Sequence, residues 1–432
     1  MSISRGESNL SLPIFAVGAF TKARWLHLFA FALLSFTSAS LWITFAPLLF
    51  VFSSYYHVSP AAINFLSTIY MVTYPIFFYP ALRLFSDAQN DCLGGGLRRG
   101  VLVGGLLNAA GAAIRYAGNS LFEWVFIGQM VCGIAQVFIL AVPTRLSARA
   151  FPASERNLAT CIGIAANNLG VAFGYLFPTL VIHPETVAAD IEQCLFYQFL
   201  ISFTILVVLV LAFYPPPEED DRVEDEREPA SPSALLMNRP FVSLMISYGI
   251  IIGAQYAVTT LISEIFAIFG REVERTLGIL GFSLVVIGVA SSLVVSVYLD
   301  RTNSHKPVCR WLYGCSIVSL VVLNGSLEIQ SISLAYLSCI LFGIFTYSIS
   351  PAIFEFAGRS YALSEVATGG FLMSSSQVFA IASIFLMDST PTSEGFVMRV
   401  PLWILTGMLA IGLGFQWSFG EEGGKALDDI LR

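Results

Sequence analysis

Uncharged amides and aromatic rings recur in the middle of long apolar segments of this sequence. Gln136 stands in "CGIAQVFIL" and Gln377 in "SSSQVFA", while Trp42 lies in "SASLWITFAP" and Tyr256 in "YGIIIGAQYAVTTL". The face of an aromatic ring attracts a cation, and quaternary ammonium groups are frequent guests of such rings. A buried amide costs free energy unless it finds a hydrogen-bond partner. These four residues predict a pocket for a small organic cation.

Three further residues complete the set of candidate substrate-binding residues, and they are Asn168, Tyr70 and Tyr347. A structural explanation competes with substrate binding, because amides also join helices inside a membrane through hydrogen bonds. Glutamines in two matched segments, with a Trp and a Tyr at the same level, favour substrate binding. An anionic substrate would need Lys or Arg at the centre of the segments, and we expect none there.

The composition places these residues in a membrane. Of 432 residues, 56% are hydrophobic and 12% are charged, and a membrane-crossing helix needs about 20 apolar residues. Strands of a lipid-facing barrel would alternate apolar and polar residues, and these segments do not. We predict an all-α membrane protein with twelve transmembrane helices. Their predicted bounds are roughly 25–51, 62–85, 101–117, 122–148, 158–182, 195–214, 240–268, 275–299, 308–325, 332–357, 367–387 and 396–418.

Two short polar phrases repeat at a distance. "FPASERNLAT" at 151–160 resembles "YALSEVATGG" at 361–370, and the first follows the fourth segment while the second follows the tenth. Two parallel six-helix halves are a transporter architecture, so the repeat predicts a duplication with a pseudo-symmetric pair of halves. The predicted bounds are 1–24 for a cytosolic tail, 25–214 for the first bundle, 215–239 for an acidic linker, 240–418 for the second bundle and 419–432 for a second tail.

Charged residues follow the second segment of each half. "LFSDAQNDCLGGGLRRG" at 84–100 and "VYLDRTNSHKPVCR" at 297–310 each place an Asp before a basic loop. This arrangement resembles the signature loop of the major facilitator superfamily, in which acids and bases latch the two halves together. The resemblance implies a gating latch made of Asp87, Arg98, Arg145, Asp300 and Glu355.

The distribution of Lys and Arg predicts a cytosolic N-terminus, because basic residues concentrate in cytosolic loops. The exceptions are Arg115, Arg271, Arg275 and Arg399. The sequon at Asn324 would lie in the short external loop after the ninth segment, where we expect glycosylation. We predict a multi-pass protein of the plasma membrane, or alternatively of an organelle, with both termini in the cytosol.

Enzymatic and metal-binding motifs are missing from the sequence. No HExxH, GxSxG or Walker-type loop occurs, and the seven cysteines show no CxxC spacing. We expect no catalytic residues, no metal and no cofactor. The expected partners are a small-molecule substrate and the lipid bilayer, without nucleic acid, and the expected state is a monomer.

Several stretches are similar to the feline leukaemia virus subgroup C receptor family, a branch of the major facilitators. They include "FLSTIYMVTYPIFFYPALRLFSD" at 65–87, "GQMVCGIAQVFILAVPTRLSA" at 128–148 and "PAIFEFA" at 351–357. The family is known for haem export and for choline and ethanolamine transport. The resemblance implies that Trp42 and Tyr256 cage an ammonium group, while Gln136 and Gln377 contact the hydroxyl end of the substrate.

Three alternatives stay open at this point. Haem is one, since the family implies it, although haem iron needs an axial ligand and the four histidines lie at segment edges or in loops. A proton-coupled carrier of another metabolite, such as a vitamin B6-like solute, is the second. Such a carrier needs an ionisable relay inside the membrane, and the near absence of one favours facilitated diffusion. The third is a membrane receptor or scaffold that transports nothing.

Overall fold

The computed structural model describes residues 14–86, 95–140, 142–152, 155–213, 236–302, 304–360, 365–389 and 398–418. Within these ranges the regular secondary structure is helical, and no strand occurs in them. The candidate latch residue Asp87 lies outside the described residues. So do the side chains of Asp300 and Glu355, although both positions belong to helices.

Helices α1–α8 form the first half of the molecule. They are α1 (Ile14–Ile43), α2 (Leu49–Tyr56), α3 (Pro60–Ser86), α4 (Gly95–Ala117), α5 (Phe122–Leu140), α6 (Val142–Ala150), α7 (Arg156–Val181) and α8 (Val187–Ala212).

Helices α9–α15 form the second half. They are α9 (Arg239–Thr260), α10 (Ile262–Phe266), α11 (Glu274–Thr302), α12 (His305–Glu328), α13 (Ile332–Ser360), α14 (Glu365–Ser389) and α15 (Arg399–Ser418).

Twelve stretches of the described chain are long and apolar enough to cross a membrane, from Arg24–Tyr56 to Arg399–Trp417. They coincide with the twelve predicted segments, so the predicted fold is confirmed. Two segments are less regular than predicted. The first is interrupted after Ile43 by a turn and a short 3-10 helix, because Pro47 removes a backbone donor and restricts the residue before it.

The seventh segment also differs from its prediction. Regular helix α9 ends at Thr260 rather than continuing to 268. The hydroxyl of Thr259 donates to the carbonyl oxygens of Gln255 (2.9 Å) and Tyr256 (3.0 Å). Such bonds back to the preceding turn compete with the helical ladder and favour a bend. The chain then continues through α10 and two 3-10 turns.

The helices pack mainly within their own half. In the first half α1 lies against α7 and α4 against α5, and in the second half α9 lies against α14 and α13 against both α11 and α12. The most extensive packing between the halves joins α7 with α11 and α3 with α14. Close approach in the first of these pairs needs a glycine, since a Cβ at Gly281 would lie 2.4 Å from the ring of Tyr175. Small residues permit such backbone contact between membrane helices.

Polar contacts between the halves gather at one end of the bundle, which we call the Glu264 end. There Asn64 Nδ2 donates to Glu264 Oε1 (2.6 Å) and, at 3.4 Å, to Asp388 Oδ1. The backbone N–H of Phe50 donates to Glu274 Oε1 (2.8 Å), and the Ser263 hydroxyl donates to the Ala46 carbonyl (2.6 Å). These bonds hold the two halves together at this end.

The opposite end, which we call the Arg145 end, carries α6 and the beginning of α4. Among the described side chains, Phe78 of α3 meets Phe371 of α14 there, with ring centroids 6.5 Å apart. Arg98 and Arg145 are both half-buried and both engaged in interactions. The predicted latch of Asp87, Arg98, Arg145, Asp300 and Glu355 stays a prediction, because three of its members have no described side chain.

Candidate substrate-binding site

Trp42 occupies the last turn of α1, just before the chain breaks toward Pro47. Its indole N–H donates to the backbone carbonyl of Ser67 on α3 (3.1 Å), and the Ser67 hydroxyl donates back to the Trp42 carbonyl (3.3 Å). The side chain is 7% exposed. A reciprocal pair of hydrogen bonds to a neighbouring helix therefore fixes both the backbone and the ring of Trp42.

Tyr256 of α9 faces Trp42 from the other half of the molecule. The two ring centroids lie 5.4 Å apart, and the ring planes cross at 78°. Such an edge-to-face contact is a favourable arrangement of two aromatic rings. It leaves both faces of one ring and one face of the other free of the partner. The two aromatic residues predicted to form a cage are thus brought together where the halves meet.

More tyrosines surround Tyr256. Tyr74 of α3, Tyr248 of α9 and Tyr347 of α13 all lie close enough to interact with it electrostatically. Tyr347, a predicted site residue, also packs against Gly288 of α11. Elements of both halves therefore bring aromatic side chains to this level of the bundle.

The two predicted glutamines lie on helices that border this region. Gln136 of α5 is half-buried, and its Oε1 atom is buried without a hydrogen-bond partner among the described residues. An acceptor left in that condition costs about 1–3 kcal/mol, which a ligand donor would recover. Gln377 of α14 is 2% exposed and stands between Ser375 and Phe379, which both pack against α9.

Two other predicted residues have a different environment. Tyr70 is fully buried in the first half, where α3 packs against Gly133 of α5. Asn168 is half-buried on α7, and no described contact joins it to the aromatic pair. Its neighbour Asn167 donates to the carbonyl and the hydroxyl of Ser35 (3.4 and 3.3 Å), which joins α7 to α1.

The prediction for Asn324 is wrong in its structural premise. The residue lies inside α12 rather than in a loop, it is 2% exposed, and its Nδ2 donates to the Leu320 carbonyl (3.3 Å). A buried helical amide is inaccessible to a glycosylating enzyme. The short loop begins later than the sequence suggested, because the apolar helix continues through the polar sequon to Glu328.

Sequence reasoning missed the polar residues behind Trp42. Arg115 of α4 and Gln129 of α5 are completely buried, and both donate to the Leu41 carbonyl (3.3 and 3.1 Å). In the sequence, Arg115 stands out only as an exception to the distribution of basic residues. A lone Arg near the end of an apolar segment, with a Gln in the next one, was the available signal. Arg115 lies in the last turn of α4 rather than at its centre, so it does not contradict the expectation of no Lys or Arg at the centre of the segments.

The histidines lie away from the aromatic pair. His27 packs against Phe213 with ring centroids 4.9 Å apart, and His183 binds Asp190 through Nδ1 (3.1 Å). His57 ends α2 and His305 begins α12. Among the described residues, no group of three or more His, Cys, Asp or Glu is placed to hold a metal ion.

Comparison with known proteins gives a consistent result. The family model described as Major Facilitator Superfamily matches residues 28–386. The choline/ethanolamine transporter flvcr2a of Danio rerio is 32% identical over 97% of this chain and 93% of its own length. The uncharacterized MFS-type transporter C09D4.1 of Caenorhabditis elegans is 33% identical over 90% of this chain and 68% of its own. The choline/ethanolamine transporter FLVCR1 of Felis catus is 30% identical over 91% and 73%.

Solved structures share the fold. A bacterial homologue of the human lysosomal transporter Spinster, inward-facing and unoccupied, matches with a TM-score of 0.70 over 95% of this chain and 98% of its own, at 10% identity. The xylose transporter XylE of E. coli, in a partially occluded inward-open conformation, gives 0.69 over 92% and 98%, at 12% identity.

Proposed function

This chain belongs to the major facilitator superfamily and, within it, to the transporters related to the feline leukaemia virus subgroup C receptor, and on that premise we propose that it carries a choline- or ethanolamine-like amine by alternating access. The observation that carries this proposal is the contact between Trp42 and Tyr256, 5.4 Å apart and contributed by opposite halves. A cation between ring faces gains about 0.5–2 kcal/mol per ring.

The amides supply the second part of recognition. Choline and ethanolamine each carry a hydroxyl group that can donate one hydrogen bond. The buried Oε1 of Gln136 has no partner among the described residues and can accept it. Gln377, on the helix that packs against α9, serves the same end of the substrate from the second half. Tyr347 lines the surrounding wall in this proposal, whereas Asn168 and Tyr70 support the packing of the first half.

Transport requires that the two ends of the bundle open in turn. The contacts among Asn64, Glu264 and Asp388 close the Glu264 end in the conformation described here. We assign that end to the exterior and the Arg145 end, with its latch, to the cytosol. Because the cage has one wall in each half, separation of the halves exposes the substrate. The protein works as a monomer in the plasma membrane in this account.

Proton coupling is the second candidate, and one observation favours it. Glu264 and Asp388 both accept from the same side-chain amide of Asn64, across the boundary between the halves. Two carboxyl groups that share a site titrate as a pair. A carrier that moved protons with its substrate would have a place for them here.

The test is uptake of labelled choline by cells that express the chain, beside uptake of haem. We expect saturable choline uptake that is lost in Trp42→Ala, with the variant still present in the membrane. Trp311→Ala is the matched control, since Trp311 of α12 is 75% exposed. Unchanged choline uptake in Trp42→Ala, or haem uptake alone, would overturn the proposal. Uptake that disappears when the proton gradient collapses would favour the coupled carrier.

A further inference from the structure

The end of α1 leaves backbone carbonyls that its own helix cannot satisfy. The last four carbonyls of any α-helix lack intrahelical donors, and here they include those of Leu41 and Trp42. Both lie in the protein interior, where an unpaired carbonyl is costly. The end of α1 that carries Trp42 therefore depends on hydrogen-bond donors from other helices of the first half.

Three other helices provide these donors. Arg115 Nη1 of α4 and Gln129 Nε2 of α5 both donate to the Leu41 carbonyl, and Gln129 Nε2 also reaches the Trp42 carbonyl at 3.4 Å. The hydroxyl of Ser67 on α3 donates to the Trp42 carbonyl as well. The helix end that carries Trp42 is thus tied to α3, α4 and α5 at one level.

Arg115 is the charged member of this group, and it is 1% exposed. Its Nη2 donates to Gln198 Oε1 of α8 (2.6 Å), and its guanidinium carbon lies 5.0 Å from the centre of the Phe45 ring. Among the described residues its partners are the Leu41 carbonyl, the Gln198 amide, the Cys132 thiol and the Phe45 ring, and none of these is a carboxylate. A buried charge without such compensation is very unfavourable, and the carbonyl end of a helix favours a cation.

The hydrogen bonds of Arg115 lead back to the end of α1 through Gln198 of α8. Gln198 Nε2 donates to the Thr44 hydroxyl (2.9 Å), which in turn donates to the Ser40 carbonyl (2.8 Å). Thr44 and Phe45 are the residues of the break that follows Trp42. Arg115 therefore contacts the chain on both sides of Trp42, at Leu41 and at Phe45.

We propose that Arg115, with Gln129 and Gln198, is a positioning unit that sets the direction of the Trp42 ring for substrate binding. Its importance for the substrate rests on the proposed function, while its action on Trp42 does not. A planar guanidinium can bond a carbonyl, bond an amide and stack on a ring at the same time. A Lys ammonium in the same place offers a point charge and cannot keep all three contacts.

The first test needs no substrate. Purified protein is labelled with 5-fluorotryptophan, and the six tryptophans are observed by fluorine NMR, with the Trp42 signal assigned from Trp42→Phe. Arg115→Lys should shift or broaden the Trp42 signal and leave that of Trp311 unchanged. Arg399→Lys is the matched control, since Arg399 pairs with Glu328 at the same end of the second half. A Trp42 signal unchanged in Arg115→Lys overturns the proposal.

The second measurement separates a positioning role from a merely structural one. Arg115→Lys should raise the half-saturation concentration for choline about tenfold, as loss of a charged hydrogen bond would. The maximal rate per molecule in the membrane should stay within about twofold. A lower maximal rate with an unchanged half-saturation concentration would contradict the role at Trp42.

Two further variants keep the proposal testable if Arg115→Lys does not fold. Gln129→Leu and Gln198→Met each remove one member, while Arg115 keeps its bond to the Leu41 carbonyl, and each should move the Trp42 fluorine signal in the same way. If neither does, the proposal fails. If both do but wild-type protein neither binds nor transports choline, the positioning unit stands and the proposed substrate is wrong.

Discussion

Trp42 and Tyr256 form opposite walls of the candidate cage, and the two halves hold these walls by different means. Trp42 lies at the end of a helix, where side chains of α3, α4 and α5 bond its backbone and that of Leu41. Tyr256 lies inside α9, whose backbone ladder continues to Thr260. Helix α9 is held by close packing, since a Cβ at Gly253 would lie 2.8 Å from the backbone of Ala380 on α14.

The difference matters for how each residue responds to change. A ring carried by a continuous, closely packed helix keeps its place through many small contacts. A ring at a helix break depends on a few polar donors, any of which can be removed singly. We therefore expect the Trp42 wall to be sensitive to distant polar substitutions and the Tyr256 wall to be insensitive to them.

The sharpest contrast compares the two conservative aromatic substitutions. Trp42→Phe removes the indole donor and leaves the buried Ser67 carbonyl without it, and it also replaces the best cation–π ring. Tyr256→Phe keeps the ring, and no described residue bonds the Tyr256 hydroxyl. We expect half-saturation concentrations for choline about tenfold higher for Trp42→Phe and within about twofold of wild type for Tyr256→Phe. Equal effects in an uptake assay would remove the contrast.

Two glutamines of α5, Gln129 and Gln136, give the next comparison. The Oε1 atoms of both lack a partner among the described residues, but Gln129 Nε2 donates to the carbonyls of Leu41 and Trp42. Gln129→Leu should lower the free energy of unfolding by about 1 kcal/mol, whereas Gln136→Leu should leave it unchanged or raise it. Gln136→Leu should still raise the half-saturation concentration about fivefold. Thermal melts and uptake curves on both variants check this, and a loss of stability in Gln136→Leu would show that its amide joins helices instead.

The Glu264 end offers a third, smaller effect that depends on pH. Burial, and then the nearby Asp388 carboxyl, raise the pKa of Glu264 from 4.5 to about 7. The closed end thus favours the protonated acid, so this stabilisation is complete below about pH 4.5 and is lost as the pH rises to about 7. Spin labels at exposed Ala61 and Glu272, in a cysteine-depleted background, should show more open molecules at about pH 8 than at about pH 5.

The control for this effect is Glu264→Gln, which keeps the acceptor for Asn64 and removes the titration. Its distance distribution should no longer respond to pH. A pH response that survives in Glu264→Gln would assign the effect to another group, such as Asp388 or Glu274.

The smallest expected effect belongs to Ser67→Ala. The Ser67 hydroxyl donates to the Trp42 carbonyl over 3.3 Å, but that carbonyl also receives Gln129. The Ser67 carbonyl that binds the indole is backbone and survives the substitution. We expect about a twofold rise in the half-saturation concentration, and none at all for the matched substitution Ser375→Ala, whose hydroxyl bonds Met245 of α9. A larger effect at Ser375 would reverse the proposed difference between the walls.

The sequence predicted the parts of this molecule that depend on composition and periodicity. Twelve apolar segments follow from run length alone, and the pairing of Trp42 with Tyr256 followed from the family resemblance rather than from spacing. Pro47 is the sequence signal for the break after Ile43. The partners of Trp42 could not be predicted, because Gln129 and Arg115 come from other helices and no periodicity indicates which neighbours they meet.

Local signals also misled at Asn324. The sequon suggested a loop, yet a single polar residue adds little against the propensity of the surrounding apolar helix, and its amide bonds the preceding turn. The contacts at the Glu264 end could not be predicted from the sequence either. Asn64 and Asp388 are separated by more than 300 positions and meet only once the halves assemble.

The central claim is that one wall from each half cages the ammonium group of the substrate, and a structure of the protein with choline bound tests it most directly. We expect the trimethylammonium group between Trp42 and Tyr256, within about 6 Å of both ring centres, with its hydroxyl toward Gln136. Choline located in another cavity, with Trp42 and Tyr256 still in contact with each other as they are here, would contradict the account.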